Sequence, residues 1–408
     1  VIDNAMRAIE AENKKLKNVL PKNYASPDLD KRVLGDVVDI FTNKIKMEDA
    51  EHSEDLLGRT YEYCIAQFAE KEGASGGEFY TPSSVVKTLV EILKPFENCR
   101  VYDPCCGSGG MFVQSSKFIE AHNGKRGAIS VYGQEANADT WKMAQMNMAI
   151  RGIDADFGPY QADTFTNDLH PTLKADFILA NPPFNYHPWN QEKLLDDVRW
   201  KFGIPPAGNA NYAWIQHMIH HLAPNGKIGL VLANGALSTQ SSGEGEIRRK
   251  IIEADLVEGI IAMPPQLFYS VTIPVTLWFI TKNKKQKGKT LFINASNMGH
   301  MVDRKHRDFE DKPGGDIDKL AKTFTKFQEG TLEAVKGFCA VADIEDIAKK
   351  DYILTPGRYV GIEEQEDDGE PFDEKMKRLT SELSGMFEKS HELEEEIRKK
   401  LRAIGYEI

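Results

Sequence analysis

From about residue 78 to residue 281, short apolar runs alternate with helix-patterned stretches, and this alternation constrains the fold more than any other feature of the chain. The candidate strands are Arg100–Asp103, Ser130–Gln134, Phe157–Gln161, Asp176–Ala180, Lys227–Leu232, Leu256–Ala262 and Val275–Ile280. Helical spacing lies between them at Gly110–Glu120, Ala138–Ile150, Tyr212–Leu222 and Glu244–Ile252. Strands joined through helices pair side by side in one direction, so the expected fold is α/β with a doubly wound, mostly parallel sheet. Such strands are covered on both faces and apolar throughout, as Phe177-Ile178-Leu179 and Ile228-Gly229-Leu230-Val231-Leu232 are.

The flanks read differently. Residues 1–75 form a helical N-terminal domain: Leu34, Val37, Val38, Phe41 and Ile45 keep three- and four-residue spacing, as do Leu57, Tyr61, Cys64, Ile65 and Phe68. Gly73-Ala74-Ser75-Gly76-Gly77 then marks a boundary, and the sheet domain occupies 76–360. Residues 361–408 hold fifteen acidic and eight basic side chains, seven of the eleven net negative charges of the chain. Glu363–Glu370 reads as a disordered linker. Beyond it, Met376, Leu379, Leu383, Met386, Leu393, Ile397 and Leu401 mark one stripe of an amphipathic helix, with an interruption expected at Gly385. That stripe needs a cover, either the chain's own domain or another subunit. The lysines within Thr281–Thr290 read as a solvated loop at the sheet edge, with a phosphate contact as the alternative.

A net charge of −11 argues against the chain holding long nucleic acid alone by overall electrostatics and points to a partner that supplies much of any such grip. No run approaches the roughly 18 apolar residues of a membrane span. The first residues lack the regions of a secretion signal and an initiator methionine, which points to a cytoplasmic chain beginning inside a longer protein. Five cysteines without zinc-ligand spacing read as reduced thiols, with no metal site.

The first chemical signal is Asp103-Pro104-Cys105-Cys106-Gly107-Ser108-Gly109-Gly110, a strand end, a small-residue turn and a helix start. Glycines there let backbone approach a ligand, and the first helical turn offers free N–H groups. The spacing is neither G-x-G-x-x-G nor a phosphate loop with lysine. Asp103 would repel phosphate but suits an α-ammonium group, which favours S-adenosylmethionine over a nucleotide; a purely structural turn is the bland alternative. Glu135, at the end of the next strand, is placed to take two ribose hydroxyls. Asp163 can reach the cofactor's adenine amino group or simply cap a helix.

The sharpest signal is Asn181-Pro182-Pro183-Phe184 after the strand Asp176–Ala180. Two prolines cannot continue a ladder and lock an extended turn, holding the Asn181 side chain and the Pro182 carbonyl as a rigid pair of acceptors. A nucleobase amino group is a poor nucleophile because its lone pair is delocalised into the ring. Two acceptors taking both N–H hydrogens localise that pair, and Phe184 can stack the base. Displacement at a sulfonium needs no strong general base, so no catalytic Cys or His is required.

Asn-Pro-Pro-Phe with the Asp-Pro-x-x-Gly-Ser-Gly-Gly turn resembles the DNA amino-methyltransferases. Gly77-Glu78-Phe79-Tyr80-Thr81-Pro82 is similar to their additional cofactor motif, whose Thr-Pro turn closes over the methionine moiety; by that likeness Glu78, Phe79, Tyr80, Thr81, Pro82 and Ser83 join the cofactor set. The motif order matches the N6-adenine group. Asn211–His217, Leu232–Gly235, Pro264–Tyr269 and Thr355–Val360 extend the resemblance to the modification (M) subunit of type I restriction–modification systems, over about residues 20–360. That family carries a larger helical N-terminal domain, and residues 1–75 look like its later half. The resemblance implies pairs of M subunits on a specificity (S) subunit that reads double-stranded DNA, with a restriction (R) subunit able to join, and no membrane. Rival readings are a glutamine-directed protein methyltransferase, a cytosine-N4 DNA methyltransferase and a non-catalytic scaffold.

Overall fold

The computed structural model describes residues 1–44, 57–65, 67, 81–125, 127–268, 274–362 and 372–403. The chain separates into two compact units, Val1–Ile362 and Glu363–Ile408.

The first unit is built on a nine-stranded sheet. Its strands are β1 (Arg100–Asp103), β2 (Ser130–Gly133), β3 (Ala155–Asp156), β4 (Ala175–Ala180), β5 (Leu222–Ala233), β6 (Val257–Ala262), β7 (Val275–Thr281) and β8 (Lys289–Asn294). After a small ribbon of β9 (His300–Met301) and β10 (Arg307–Asp308), β11 (Cys339–Asp343) completes it. The order across the sheet is β11-β8-β6-β7-β5-β4-β1-β2-β3. β7 runs antiparallel to β5 and β6, and β11 antiparallel to β8; the remaining neighbours are parallel.

Successive side chains of a strand point to opposite faces, so a sheet buried on both sides needs two cores. β4 serves both: Phe177 and Leu179 enter one cluster, Ile178 and Ala180 the other. Helices α4 (Ser83–Leu93), α5 (Gly110–Ala121), α6 (Ala138–Ile150) and α9 (Asp316–Glu329) supply Leu89, Phe112, Met148 and Phe324 to the first cluster. Helices α7 (Asn211–His221), α8 (Glu244–Glu253) and α10 (Ile344–Ala348) supply Ile215, Ile251 and Ile347 to the second. The doubly wound, mostly parallel sheet is therefore as the alternation predicts.

N-terminal to the sheet lie α1 (Ile2–Glu12), α2 (Lys31–Asp39) and α3 over residues 57–65. Asp30 caps α2 by accepting from Arg32 and Val33 amides. Helix α3 is seated on α6: the Tyr61 hydroxyl donates to the Met143 carbonyl at 2.8 Å, and buried Arg151 reaches the Gly58 carbonyl at 2.7 Å and Glu62 at 2.9 Å. The short α11 (Gly357–Val360) is the last helix of the first unit, and in the second unit α12 spans Phe372–Ala403.

Several sequence expectations are corrected. The run Phe157–Gln161 is loop; the strand there is the short β3 just before it. Phe157 is buried, which explains its strand-like look, but Gly158 turns with φ +70° and Pro159 has no donor for a ladder. Within Thr281–Thr290, Lys284 is buried against Asp255 at 2.6 Å, and the lysine run leads directly into β8 instead of staying a solvated loop. Gly385 does not interrupt α12, which continues through it. The linker reading for Glu363–Glu370 lies outside the described residues.

Candidate active site

The sheet order reverses between β1 and β4: the chain winds through β2 and β3 on one side and β5 on the other. At such a switch point the two following loops part, leaving a crevice at the carboxyl ends of the strands. Asp103 ends β1, Asn181 follows the last residue of β4, and Glu135 stands two residues past β2. Three candidate residues far apart in sequence thus converge on one edge.

The glycine turn is held from both sides. Asp103 is 2% exposed and its Oδ1 accepts from the Cys105 amide at 3.0 Å. Burial, reinforced by the nearby Glu135 carboxylate, pushes the Asp103 carboxyl up to about 7. The Cys106 amide donates to the Gln134 carbonyl at 2.9 Å, and the Gly107 amide to Glu135 Oε2 at 3.0 Å. Glu135 Oε1 accepts from the Asn137 amide at 2.9 Å, so this carboxylate ties β2's exit to the turn. Gly107 and Gly109 have φ +54° and +82°, in the left-handed region that favours glycine. A Cβ on Gly109 would meet Met148 Cε at 3.0 Å, whereas one on Gly110 would meet nothing within 4 Å among the described residues. Ser108 is anchored through its carbonyl, which accepts from Asn147 Nδ2 at 2.6 Å.

Asn181 is held differently. Its Nδ2 donates to Thr81 Oγ1 at 3.0 Å, while its Oδ1 is buried with no hydrogen-bond partner among the described residues. A buried carbonyl oxygen without a donor is uncommon in native proteins and calls for an explanation. Pro182 is buried, and Phe184 is half-buried edge-on to Phe268, with ring centroids 6.3 Å apart and planes at 71°. The chain leaves this corner through Asn185, at φ +54°, whose Oδ1 accepts from Asn211 Nδ2 at 3.1 Å while its amide donates back to Asn211 Oδ1 at 3.3 Å. The first residue of α7 therefore clamps the residue after Phe184.

Thr81 and Ser83 border a cleft shared with Ser108, Gly110 and Asn147 and closed on one side by Tyr61 of α3. Pro82 is the N-cap of α4, its carbonyl accepting from the Val85 amide at 3.1 Å. Glu78, Phe79 and Tyr80 lie outside the described residues. Asp163 Oδ1 accepts from the Thr166 amide and hydroxyl, both at 2.8 Å, in a turn that opens no helix, so the helix cap that the sequence offers beside the adenine contact is not formed. Its loop still belongs to the site's frame, because Thr164 Oγ1 donates to the Pro104 carbonyl at 2.5 Å and the Ala162 amide to the Glu135 carbonyl at 2.9 Å.

Sequence reasoning missed the Thr81–Asn181 bond, the Asn185–Asn211 clamp and the Tyr61 wall. An asparagine directly after the aromatic of a rigid turn hints at the second, since asparagine tolerates positive φ. Nothing in the sequence signals the other two. Asp168, His217 and His221 gather under the sheet with ligand-like spacing. Their atoms are already engaged: His217 with Tyr102 and Arg199, both at 3.0 Å, and His221 with Asp168 at 2.9 Å and the Leu173 carbonyl at 3.1 Å. The adjacent Arg199 guanidinium opposes a metal cation, and the group reads as a buried hydrogen-bond network.

A switch-point crevice with a glycine turn, an acidic residue at each of two strand ends and an amide at a proline corner defines the class of S-adenosylmethionine-dependent methyltransferases. The N-6 DNA Methylase family model matches residues 52–368. The Type I restriction enzyme HindI methylase subunit of Haemophilus influenzae is 50% identical over 417 residues, covering 100% of this chain and 93% of that protein. The MjaIX methylase subunit of Methanocaldococcus jannaschii is 41% identical and covers 100% of this chain and 73% of its own length. Among solved structures, the type I restriction-modification methyltransferase subunit from Streptococcus thermophilus superposes with a TM-score of 0.75 at 26% identity, over 88% of this chain and 76% of that one. The chain belongs to the N-6 DNA methylase family and, within it, to the methylase subunits of type I restriction enzymes: it is a DNA adenine-N6 methyltransferase. No helix among the described residues is long and apolar enough to cross a membrane.

Proposed function

We propose that Asn181 and the Pro182 carbonyl accept the two N–H hydrogens of an adenine extruded from the DNA duplex, and that the turn Asp103–Gly110 holds S-adenosylmethionine beside it. The observation that carries this reading is the buried, unpartnered Oδ1 of Asn181. In a site filled by a base that oxygen has a donor; without one its burial carries only a desolvation cost.

The residues around the turn fit the cofactor. Open space over Gly110 admits a ligand against the backbone, Asp103 offers a buried carboxylate for a cation, and Glu135 stands where ribose hydroxyls need acceptors. The cofactor supplies a methyl group on a sulfonium, an electrophile whose leaving group needs no proton. The chain supplies position. Asn181 and Pro182 draw the amino nitrogen toward a tetrahedral shape, Phe184 stacks the base, and Asn211 fixes Phe184 through Asn185. Extrusion of the base is required because the amino group of a paired adenine is committed within the stack. The test is transfer of labelled methyl groups to duplex DNA by the assembled complex, with the product mapped. Methylation of adenine N6 supports the reading; label on a cytosine or on protein overturns it.

Cofactor affinity carries a pH signature. Asp103 must be ionised to pair with an α-ammonium, and its carboxyl titrates at about 7. The dissociation constant measured by calorimetry is therefore expected to be about fivefold weaker at pH 6 than at pH 7, a range below that in which the α-ammonium itself deprotonates. An affinity flat across that range would remove Asp103 from the ammonium contact.

In this reading the protein works in the cytoplasm, with two methylase subunits flanking a specificity subunit that reads the DNA sequence and a restriction subunit joining the same assembly. The helical segment 1–75 and the domain 76–360 handle DNA and chemistry, and 361–408 handles assembly. Helix α12 supports that division: Met376, Leu379, Leu383, Leu393 and Ile397 recur on one stripe and are each more than 40% exposed. Deleting residues 372–408 is expected to abolish co-purification with the specificity subunit while cofactor binding persists; unchanged assembly would refute the role of α12.

A further inference from the structure

We infer that Thr81, which the motif likeness places with the cofactor, is a positioning residue for the Asn181 amide. A primary amide has two ends nearly equal in shape and opposite in hydrogen-bond sense. Adenine's amino group needs the oxygen end, so the nitrogen end must be accommodated elsewhere. Thr81 Oγ1 does this, accepting from Asn181 Nδ2 at 3.0 Å and leaving Oδ1 buried and unmatched. The hydroxyl could serve either end; its function is to remove the cost of burying the nitrogen when the oxygen is committed to the base. Valine at this position matches the shape and offers no acceptor. Committing Oδ1 to the base would then strand the N–H hydrogen that Thr81 takes, and rotating the amide to rescue it would turn a donor toward the amino group.

The location makes the contact informative. Thr81 lies one hundred residues before Asn181, two residues before α4, and it also borders the cleft formed with Ser108 and Gly110. One side chain thus touches both halves of the site: its hydroxyl holds the amide at the end of β4 while its residue walls the cleft beside the glycine turn. A role confined to the cofactor would move binding affinity; a role through Asn181 moves turnover.

This inference rests on Asn181 acting as the acceptor. The experiment uses the full chain assembled with its native partners, at saturating cofactor and DNA, with folding checked by thermal melting. Thr81→Val is expected to lower kcat about 10- to 100-fold, with calorimetric affinity for S-adenosylmethionine and KM for DNA within about twofold. Thr81→Ser keeps the acceptor and is expected to restore kcat to within a few-fold. Wild-type kcat in Thr81→Val, or a fall in cofactor affinity that accounts for the lost rate, would overturn the inference, as would failure of the serine variant to recover. Asn181→Ala run alongside separates the two levels. If that variant turns over normally, the acceptor assignment itself falls; if it is dead while Thr81→Val is fully active, only the role of Thr81 is lost.

Discussion

An Asn181→Ala variant is expected to bind S-adenosylmethionine normally and to transfer methyl groups at least about 100-fold more slowly, a barrier increase of roughly 3 kcal/mol or more. The two halves of this expectation come from different parts of the fold. At the ends of β1 and β2, where the glycine turn and Glu135 are assigned to the cofactor, Glu135 secures Gly107 and Gln134 secures Cys106; neither bond passes through the Asn181 side chain. The loss of rate comes from one acceptor, already desolvated and aimed by its bond to Thr81. An acceptor in water must reorganise to meet developing positive charge on the amino nitrogen, whereas a buried and fixed one is already in place. Labelled-methyl transfer by the assembled complex reads the rate, and calorimetry reads the affinity. If cofactor binding disappears with the side chain, Asn181 has been given the wrong role.

The parts of this site visible in the sequence are those whose signal is local. β1 and α6 keep the bounds that residue pattern alone predicts, the first because a strand ends where small turn residues begin, the second because Asn137 caps it by accepting from Asp139 and Thr140 amides. β8 and β11 escaped notice for opposite reasons. β8 follows a lysine run that reads as solvent-exposed loop, and β11 is an edge strand whose burial is too uneven to register as a continuous apolar run. The proline corner, the glycine turn and Glu135 were legible because a strand end followed by special backbone is a short-range event. What joins them was not. The Thr81–Asn181 bond spans one hundred residues, and its existence depends on α4 and β4 meeting at one end of the sheet. The raised Asp103 carboxyl likewise reflects how completely the fold buries it, which no stretch of sequence records.

Gly110→Val is expected to abolish cofactor binding, by about 100-fold or more in affinity, without harming the fold. The neighbouring glycines cannot give so clean a test. Gly109 sits at φ +82° and a Cβ there presses on Met148 Cε at 3.0 Å, so a side chain strains the turn before any ligand arrives. Gly107, at φ +54°, faces open space but shares the backbone problem. Gly110 is the first residue of α5, its backbone is helical, and a Cβ there contacts nothing within 4 Å among the described residues. Valine would even restrict the unfolded chain more than glycine does, so the melting temperature should hold or rise slightly. Its added carbons would project into the cleft bordered by Ser108, Thr81 and Ser83. If that volume belongs to the cofactor, calorimetry will register no binding in a fully folded protein. Undiminished affinity in a variant that melts like the wild type would mean that the ligand approaches the turn from another side, and the cleft would then need a different occupant.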